Sequence, residues 1–351
     1  MTINASPCSA RTPRNRDPKS MSLVIPCYNE EEVLPELYRR LKELVSGYTF
    51  PIEVLLIDDG SKDSTWQMIG SYAQESCFIK AIRLARNFGH QTAITCGLDQ
   101  TQGEVVIILD ADLQDPPELI PLMIKDWQDG YDVVYGQRRQ RMGEPLSKKL
   151  FAFAFYRIFE QVAGLKVPRD TGDFRLMDRR AVNALQSMRE RHRFVRGMVS
   201  WIGHHQKALM YDRPERFAGV TKYPFRKSLF LAIDAITSFT FAPLRIASYL
   251  GVATSALAFL YIFVILILKA RGINFPGYTS IMASILLLGG VQLTVLGILG
   301  EYVGRIFEQG QKRPLYLIDQ IQGEPLANST ANNTANNTAN NTAALQQRAS
   351  S

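Results

Sequence analysis

The sequence predicts an α/β protein with a mostly parallel sheet, followed by an amphipathic interface helix and two transmembrane helices. Three observations predict it. Short apolar runs alternate with helix-spaced leucines from Ser22 to Tyr135, acidic or Gly/Asn residues follow the runs, and apolar residues crowd between Leu229 and Leu299. Strand–helix alternation implies parallel pairing through right-handed crossovers.

Ser22–Pro26 reads as the first strand. Asn29, with Glu32 three residues on and leucines at 34, 37, 41 and 44, predicts a capped helix. Ile52–Ile57 is the second strand, ending in Asp58-Asp59-Gly60-Ser61, and a helix follows through Trp66 and Ile69. Ala81–Leu84 is the third, leading through Asn87-Phe88-Gly89-His90 into a helix with Ile94 and Leu98. Val105–Leu109 is the fourth and Asp132–Tyr135 the fifth. Asp115, Pro116 and Glu118 suit the N-cap, first position and reciprocal capping position of a helix. A helix is expected over Leu146–Val162, and Asp170–Arg175 reads as a turn with two acids and a base. No GxGxxG or GxxxxGK[ST] follows any strand, which excludes a dinucleotide fingerprint and a P-loop.

Ile246–Leu268 carries no charge over 23 residues, about 34 Å as a helix. Ser280–Leu299 is a second uncharged span. Lys222, Arg226, Lys227, Arg245, Arg305, Lys312 and Arg313 outnumber Lys269 and Arg271 of the connector, so the large domain and both termini are expected in the cytoplasm. Glycines 289, 290, 297, 300 and 304 suit close helix approach. The expected divisions are a disordered basic tail (1–20), the α/β domain (21–222), an interface helix (223–243), a two-helix hairpin (244–303), a juxtamembrane segment (304–323) and a disordered ANNT-repeat tail (324–351).

The net charge of +7 points to phosphate substrates and an anionic membrane surface, with no aromatic–basic module for nucleic acid. The cysteines at 8, 27, 77 and 96 form no metal or disulfide spacing, and the four histidines show no pairing with a nucleophile and are expected to be incidental. Asp110 and Asp112, one residue apart after a strand with Gln114 beside them, suit a hard divalent cation holding a diphosphate.

Val24-Ile-Pro-Cys-Tyr-Asn-Glu-Glu, Ile57-Asp-Asp-Gly-Ser, Asp110-Ala-Asp-Leu-Gln and Arg216-Phe-Ala-Gly-Val-Thr-Lys-Tyr resemble the family-2 glycosyltransferases of the dolichol-phosphate-mannose synthase group. The two spans and Gly300-Glu-Tyr-Val-Gly-Arg resemble its bacterial two-span branch, the polyprenyl-phosphate glycosyltransferases, most of all the undecaprenyl-phosphate (bactoprenol) glucosyltransferases. The resemblance runs from about Ser22 to Leu317. It implies a GT-A (Rossmann-like) nucleotide-sugar domain at a bacterial inner membrane, using Mg2+ or Mn2+, UDP-glucose and undecaprenyl phosphate. It also implies a homo-oligomer such as a tetramer.

Carried over by position, Pro26, Tyr28 and Glu30 line the nucleoside pocket, and Asp58 and Asp59 hold base and ribose. An Asx turn is an alternative role for Asp59. Asp110, Asp112 and Gln114 take the metal and diphosphate, with Asp112 the firmest ligand. Asp173 stands in the catalytic-acid position, either as base or as a group that orients sugar hydroxyls. Arg138, Ser147, Arg216 and Lys222 are the candidates for the acceptor phosphate, and Arg175 either pairs with Asp173 or touches substrate. Three rivals remain: the same reaction with another donor such as GDP-mannose, a processive polysaccharide synthase, and a non-catalytic membrane scaffold. The Gln-x-x-Arg-Trp motif of the synthases does not occur.

Overall fold

The computed structural model describes residues 13–139, 171–212, 240, 242–271 and 277–323. Its strands are β1 (Met21–Cys27), β2 (Ile52–Asp58), β3 (Ile79–Leu84), β4 (Val105–Ile108), β5 (Val133–Arg138), β6 (Thr171–Asp178), β7 (Gln206–Tyr211) and β8 (Ile318–Gln322). The helices of the domain are α1 (Leu34–Ser46), α2 (Thr65–Glu75), α3 (His90–Gln100), α4 (Ile120–Gln128), α5 (Arg179–Ser187) and α6 (Val195–Trp201). All eight strands form one sheet in the order β7-β5-β6-β4-β1-β2-β3-β8. β4, β1, β2 and β3 run parallel, as do β5 and β7. β6 lies antiparallel between β4 and β5, and β8 antiparallel on β3.

Helices cover both faces, which is why the strands read as continuous apolar runs rather than alternating ones. Met21, Leu23, Ile25 and Cys27 of β1 pack with α1, α2 and α4, whereas Val24 packs with α3, α5 and α6. Ile57, Ile82 and Leu84 form a third cluster with Ala93 and Cys96 of α3, against Tyr316 and Ile318.

Four local expectations are corrected. Residues 171–178 are a fully buried strand rather than a turn, because pairing on both sides satisfies the backbone that the acids and glycine suggested was looped. Asn29 does not cap α1: the cap position is Val33, with no side-chain bond. Asn29 instead takes a left-handed φ of 53° and accepts a hydrogen bond from Lys62 N at 2.9 Å, bracing the β1 loop to the β2 loop. Asp115 and Glu118 form no capping pair, since Pro116 precedes a single 3-10 turn, Pro117–Leu119, without a side-chain cap. Residues 13–20, expected to be disordered, are held to the domain. Arg14 donates to Trp127 O (2.7 Å), Tyr131 O (3.1 Å), Asp132 Oδ1 (2.7 Å) and Asp178 Oδ2 (3.2 Å), and its guanidinium lies 4.6 Å from the Trp127 ring centre.

Two further helices, α7 (Ala242–Ala270) and α8 (Tyr278–Gly310), pack against each other. Each contains a stretch long and apolar enough to cross a membrane, and neither stretch is buried within the protein. Phe259 and Leu293 are 78% and 71% exposed, and a surface this apolar calls for lipid around it. The chain is therefore membrane-associated. α8 outruns the expected span, and its last turn docks on the domain: Arg191 N donates to Gln309 Oε1 (3.0 Å) and His192 meets Glu308 (3.1 Å). The juxtamembrane segment then joins the sheet as β8, a pairing that its polar Asp319, Gln320 and Gln322 did not suggest. The expected helix at 146–162 and most of the interface helix at 223–243 lie outside the described residues.

Removing Arg14 leaves the buried Asp132 and Asp178 with Arg180 as their remaining arginine partner. Arg14→Ala is expected to cost about 2 kcal/mol, read as a fall of about 5 °C in the thermal unfolding midpoint in detergent.

Candidate active site

Strand direction gathers the polar residues at one edge of the sheet. The carboxyl ends of β1, β2, β3 and β4 point there because these strands are parallel. β6 runs the other way, so its first residues arrive at the same edge, while β5 and β7 bring their last. Asp58, Asp110, Asp173, Arg138 and Tyr211 thereby line one edge although they are scattered over the chain. Ligands of open α/β sheets bind at this edge.

Asp173 is buried, 1% exposed. Arg196 of α6 grips both oxygens, Nε to Oδ1 at 2.9 Å and Nη2 to Oδ2 at 3.1 Å. Gln91 Nε2 donates to Oδ2 at 3.1 Å, and His90 Nε2 lies 3.2 Å from the same atom. Arg175 pairs with Asp173 across 3.8 Å and donates to the Asp173 and Gly172 carbonyls, consistent with a pairing rather than a substrate role. Burial opposes ionisation of Asp173. The Arg196 charge and the bonds from His90 and Arg196 outweigh it, holding the carboxyl well below its usual range.

His90 also faces Asp110 Oδ1, at 3.5 Å. Burial disfavours its charge, but the Asp173 bond and the charges of Asp110 and Asp173 raise it to about 9. Its ring is 41% exposed, so desolvation is incomplete and the cationic form holds at neutral pH. The expectation that the histidines are incidental is thus corrected for His90. Gln91 and Arg196 were missed as well. The Asn-Phe-Gly-His loop after β3 was a signal for His90, whereas nothing near Arg196 marked it.

Asp110 is pushed upward by burial and by Asp173 and Asp112, with His90 opposing. Its Oδ1 is buried with no hydrogen-bond partner. Asp112 Oδ1 accepts from Gln114 N at 3.1 Å, closing a tight turn in which Leu113 has a left-handed φ of 58°. A buried carboxylate oxygen that accepts no hydrogen bond, beside a second carboxylate, fits a hard cation. Among the described residues no three His, Cys, Asp or Glu side chains converge on such a site, so a cation here would take further oxygens from its ligand or water.

Asp58 is fully buried, accepting from Ser61 N at 3.0 Å with Arg83 Nε 3.6 Å away. Asp59 spends both oxygens on the β3–α3 loop, accepting from Phe88 N (2.7 Å) and Gly89 N (2.9 Å). That bracing places His90 and is a contact across the fold rather than an Asx turn. Pro26 is buried in β1, while Tyr28 and Glu30 are partly exposed just beyond it, and Glu30 N donates to Thr65 Oγ1 at 2.9 Å. Gln114 is nearly buried, and Arg138 ends β5. Ser147, Arg216 and Lys222 lie outside the described residues.

A strand-edge acid loop on a sheet of this order, joined to an apolar helical hairpin, defines a membrane-associated nucleotide-sugar transferase of the GT-A type. Residues 22–186 match the model of glycosyl transferase family 2, and residues 242–306 match that of the GtrB C-terminal hairpin. The chain is 45% identical over 303 residues to an uncharacterized glycosyltransferase, YkcC, of Bacillus subtilis, covering 86% of this chain and 94% of that one. It is 40% identical over 299 residues to the bactoprenol glucosyl transferase of Shigella phage SfX, covering 85% and 98%. Among solved structures, mannosyl-3-phosphoglycerate synthase from Rubrobacter xylanophilus is a distant likeness: TM-score 0.43, 17% identity, 62% of this chain and 72% of that one. The chain belongs to the family-2 glycosyltransferases, in the polyprenyl-phosphate branch that carries the GtrB-type hairpin, and is an enzyme of that class.

In the cation-free protein the folded-state pKa of His90 lies above the ordinary value of about 6.5. Its contribution to stability is complete below that ordinary value and lost as pH rises through about 9. Wild-type thermal stability should therefore fall between neutrality and pH 9, and His90→Gln should remove most of that fall. An NMR titration midpoint near the ordinary histidine value would contradict it.

Proposed function

We propose that the protein transfers a hexose, glucose from UDP-glucose, to the phosphate of a polyprenyl phosphate such as undecaprenyl phosphate, with inversion, at the cytoplasmic face of a bacterial inner membrane. The observation that carries this reading is the acid loop, whose buried Asp110 Oδ1 accepts no hydrogen bond, at the carboxyl edge of a sheet tied to a membrane hairpin. Relatives named bactoprenol glucosyl transferase support both the sugar and the acceptor.

An oxygen of the lipid phosphate forms a bond to the anomeric carbon as the bond from that carbon to the diphosphate oxygen breaks. The electron pair leaves with the nucleoside diphosphate. A phosphate monoester with its second pKa near about 6 is already mostly dianionic at neutral pH, so the attack needs no strong base. This suits Asp173 as an orienting anion: a carboxylate with both oxygens engaged and its proton affinity depressed is a poor base. Tyr28, Glu30 and Asp58 bound the space for the nucleoside. Asp110 and Asp112, with Gln114, would hold Mg2+ or Mn2+, which when bound supplies positive charge opposite the leaving diphosphate. His90, cationic beside Asp110, adds a fixed charge on the same side. Arg138, Arg216, Lys222 and Ser147 are assigned to the phosphate groups.

The topology supports a cytoplasmic domain and termini. After α8 the chain returns to the sheet as β8, which supports a hairpin with both ends on the domain's side of the membrane. Charge asymmetry supports that side as the inside. Glycines along α8 suit a homo-oligomer.

Purified protein given UDP-glucose, a polyprenyl phosphate and Mn2+ is expected to form a polyprenyl-linked hexose detectable by mass spectrometry, and chelation by EDTA to stop it. A parallel screen with GDP-mannose and other donors identifies the sugar. Asp112→Ala should lower the rate by about a hundredfold or more. A glycolipid made equally well with EDTA present would sink the metal assignment, and none from any donor would sink the reaction.

A further inference from the structure

A second buried cluster stands on the opposite face of β6 from His90 and Arg196. Tyr211 closes β7 directly beside Arg138 of β5 and is 4% exposed. Its ring meets Phe174 edge-on, with centres 6.1 Å apart. Gly136 makes room for it: a Cβ there would stand 2.9 Å from the Tyr211 ring and 2.8 Å from Phe174. Held in this slot, the phenol donates a hydrogen bond to Oδ1 of Asp115, which is fully buried. Burial and the Asp115 charge push the phenol upward, so it remains a donor at neutral pH.

Arg138 shares this space. Its Nη2 and Asp115 Oδ2 lie 3.4 and 3.7 Å from the point where a Cβ on Gly172 would stand, so both converge over the residue preceding Asp173. Arg138 also interacts with the Tyr211 phenol, while its Nε is buried without a hydrogen-bond partner. Asp115 directly follows the acid loop, so one short segment carries Asp110, Asp112 and the anchor for Tyr211. Leu113 between them holds a left-handed conformation that is strained for a non-glycine residue and persists only when its surroundings enforce it.

We infer that Tyr211 and Asp115 are positioning residues that fix the Arg138 guanidinium at the acid loop, where it meets phosphoryl oxygens. The inference rests on the transfer reaction proposed above. A guanidinium fork suits phosphoryl oxygens, which come either from the nucleoside diphosphate or from the lipid phosphate. Neither Tyr211 nor Asp115 touches the reacting atoms in this account. They act through Arg138.

The test uses the full-length protein in detergent. Tyr211→Phe keeps the ring in its slot and removes only the hydroxyl. It should raise KM for one substrate about tenfold, the worth of one such hydrogen bond, with kcat changed less than about threefold. A rise for UDP-glucose assigns the guanidinium to the diphosphate, and a rise for the polyprenyl phosphate assigns it to the acceptor. Arg138→Ala should affect the same substrate, and adding Tyr211→Phe to it should cost little more. Calorimetric binding of uridine diphosphate with Mn2+, and separately of a short-chain polyprenyl phosphate, should weaken in the same arm. Unchanged KM and binding in Tyr211→Phe, or penalties that multiply in the double variant, would overturn the inference. If the wild type bound these ligands, Tyr211→Phe weakened one, and no glycolipid formed, the positioning role would stand and the reaction would fall.

Discussion

A carboxylate buried inside an eight-stranded sheet stays ionised only if cations reach it, and the site depends on how Asp173 meets that constraint. Beside Arg175 of its own strand, its partners come from two helices on one face of the sheet. Arg196 approaches from α6, and His90 and Gln91 from the first turn of α3. Each of these must be held to the sheet for the acid to be satisfied, so the apolar packing of α3, α5 and α6 around Val24, Val106 and Ile108 and the polar geometry of the edge depend on each other. Asp59 extends the same dependence by fixing the loop that starts α3. His90 then carries the charge balance from Asp173 to Asp110, whose Oδ1 accepts no hydrogen bond.

The acid loop is clamped at both ends, and on opposite faces of the sheet. Asp110 faces His90 on the α3 side, whereas Asp115 bonds to Tyr211 on the side of Phe174 and Leu113. Between the clamps, the Asp112–Gln114 turn and the left-handed Leu113 are specified by short-range chemistry under long-range constraint. α3 also connects this edge to the membrane hairpin. Its first residue touches Asp173, and near its far end Asp99 accepts from the Tyr316 hydroxyl at 2.8 Å and pairs with Arg189. Together with β8 on β3, these contacts tie the segment after α8 into the catalytic domain rather than leaving it as a free tether.

Much of the architecture was legible in the chain. The strands β1 to β5 and helices α1 to α3 follow from apolar runs and leucine spacing, because residues buried on both faces leave a periodicity that needs no knowledge of partners. The two spans were legible for the same reason, lipid being an apolar environment that acts on composition directly. Elements whose residues are polar for reasons of pairing were not. β6 reads as a turn because Asp173 and Arg175 are a buried ion pair, and β8 reads as a tail because an edge strand needs backbone partners more than apolar side chains. Asn29, Asp59 and Asp115 all carry the composition of local turns and caps, yet each bonds to a segment distant in sequence.

By itself, then, the sequence determined the α/β class, the acid loop after the fourth strand, the membrane hairpin and the family motifs, since each is written in contiguous residues. Only the tertiary structure decided what the acids do. It shows Asp173 held by Arg196, Gln91 and His90, Asp59 committed to a loop, and Asp115 tied to Tyr211 across 96 residues. The reason is physical: the ionisation and orientation of a buried carboxylate are set by whichever groups the fold brings within about 3 Å, and strand order, not sequence spacing, chooses those groups.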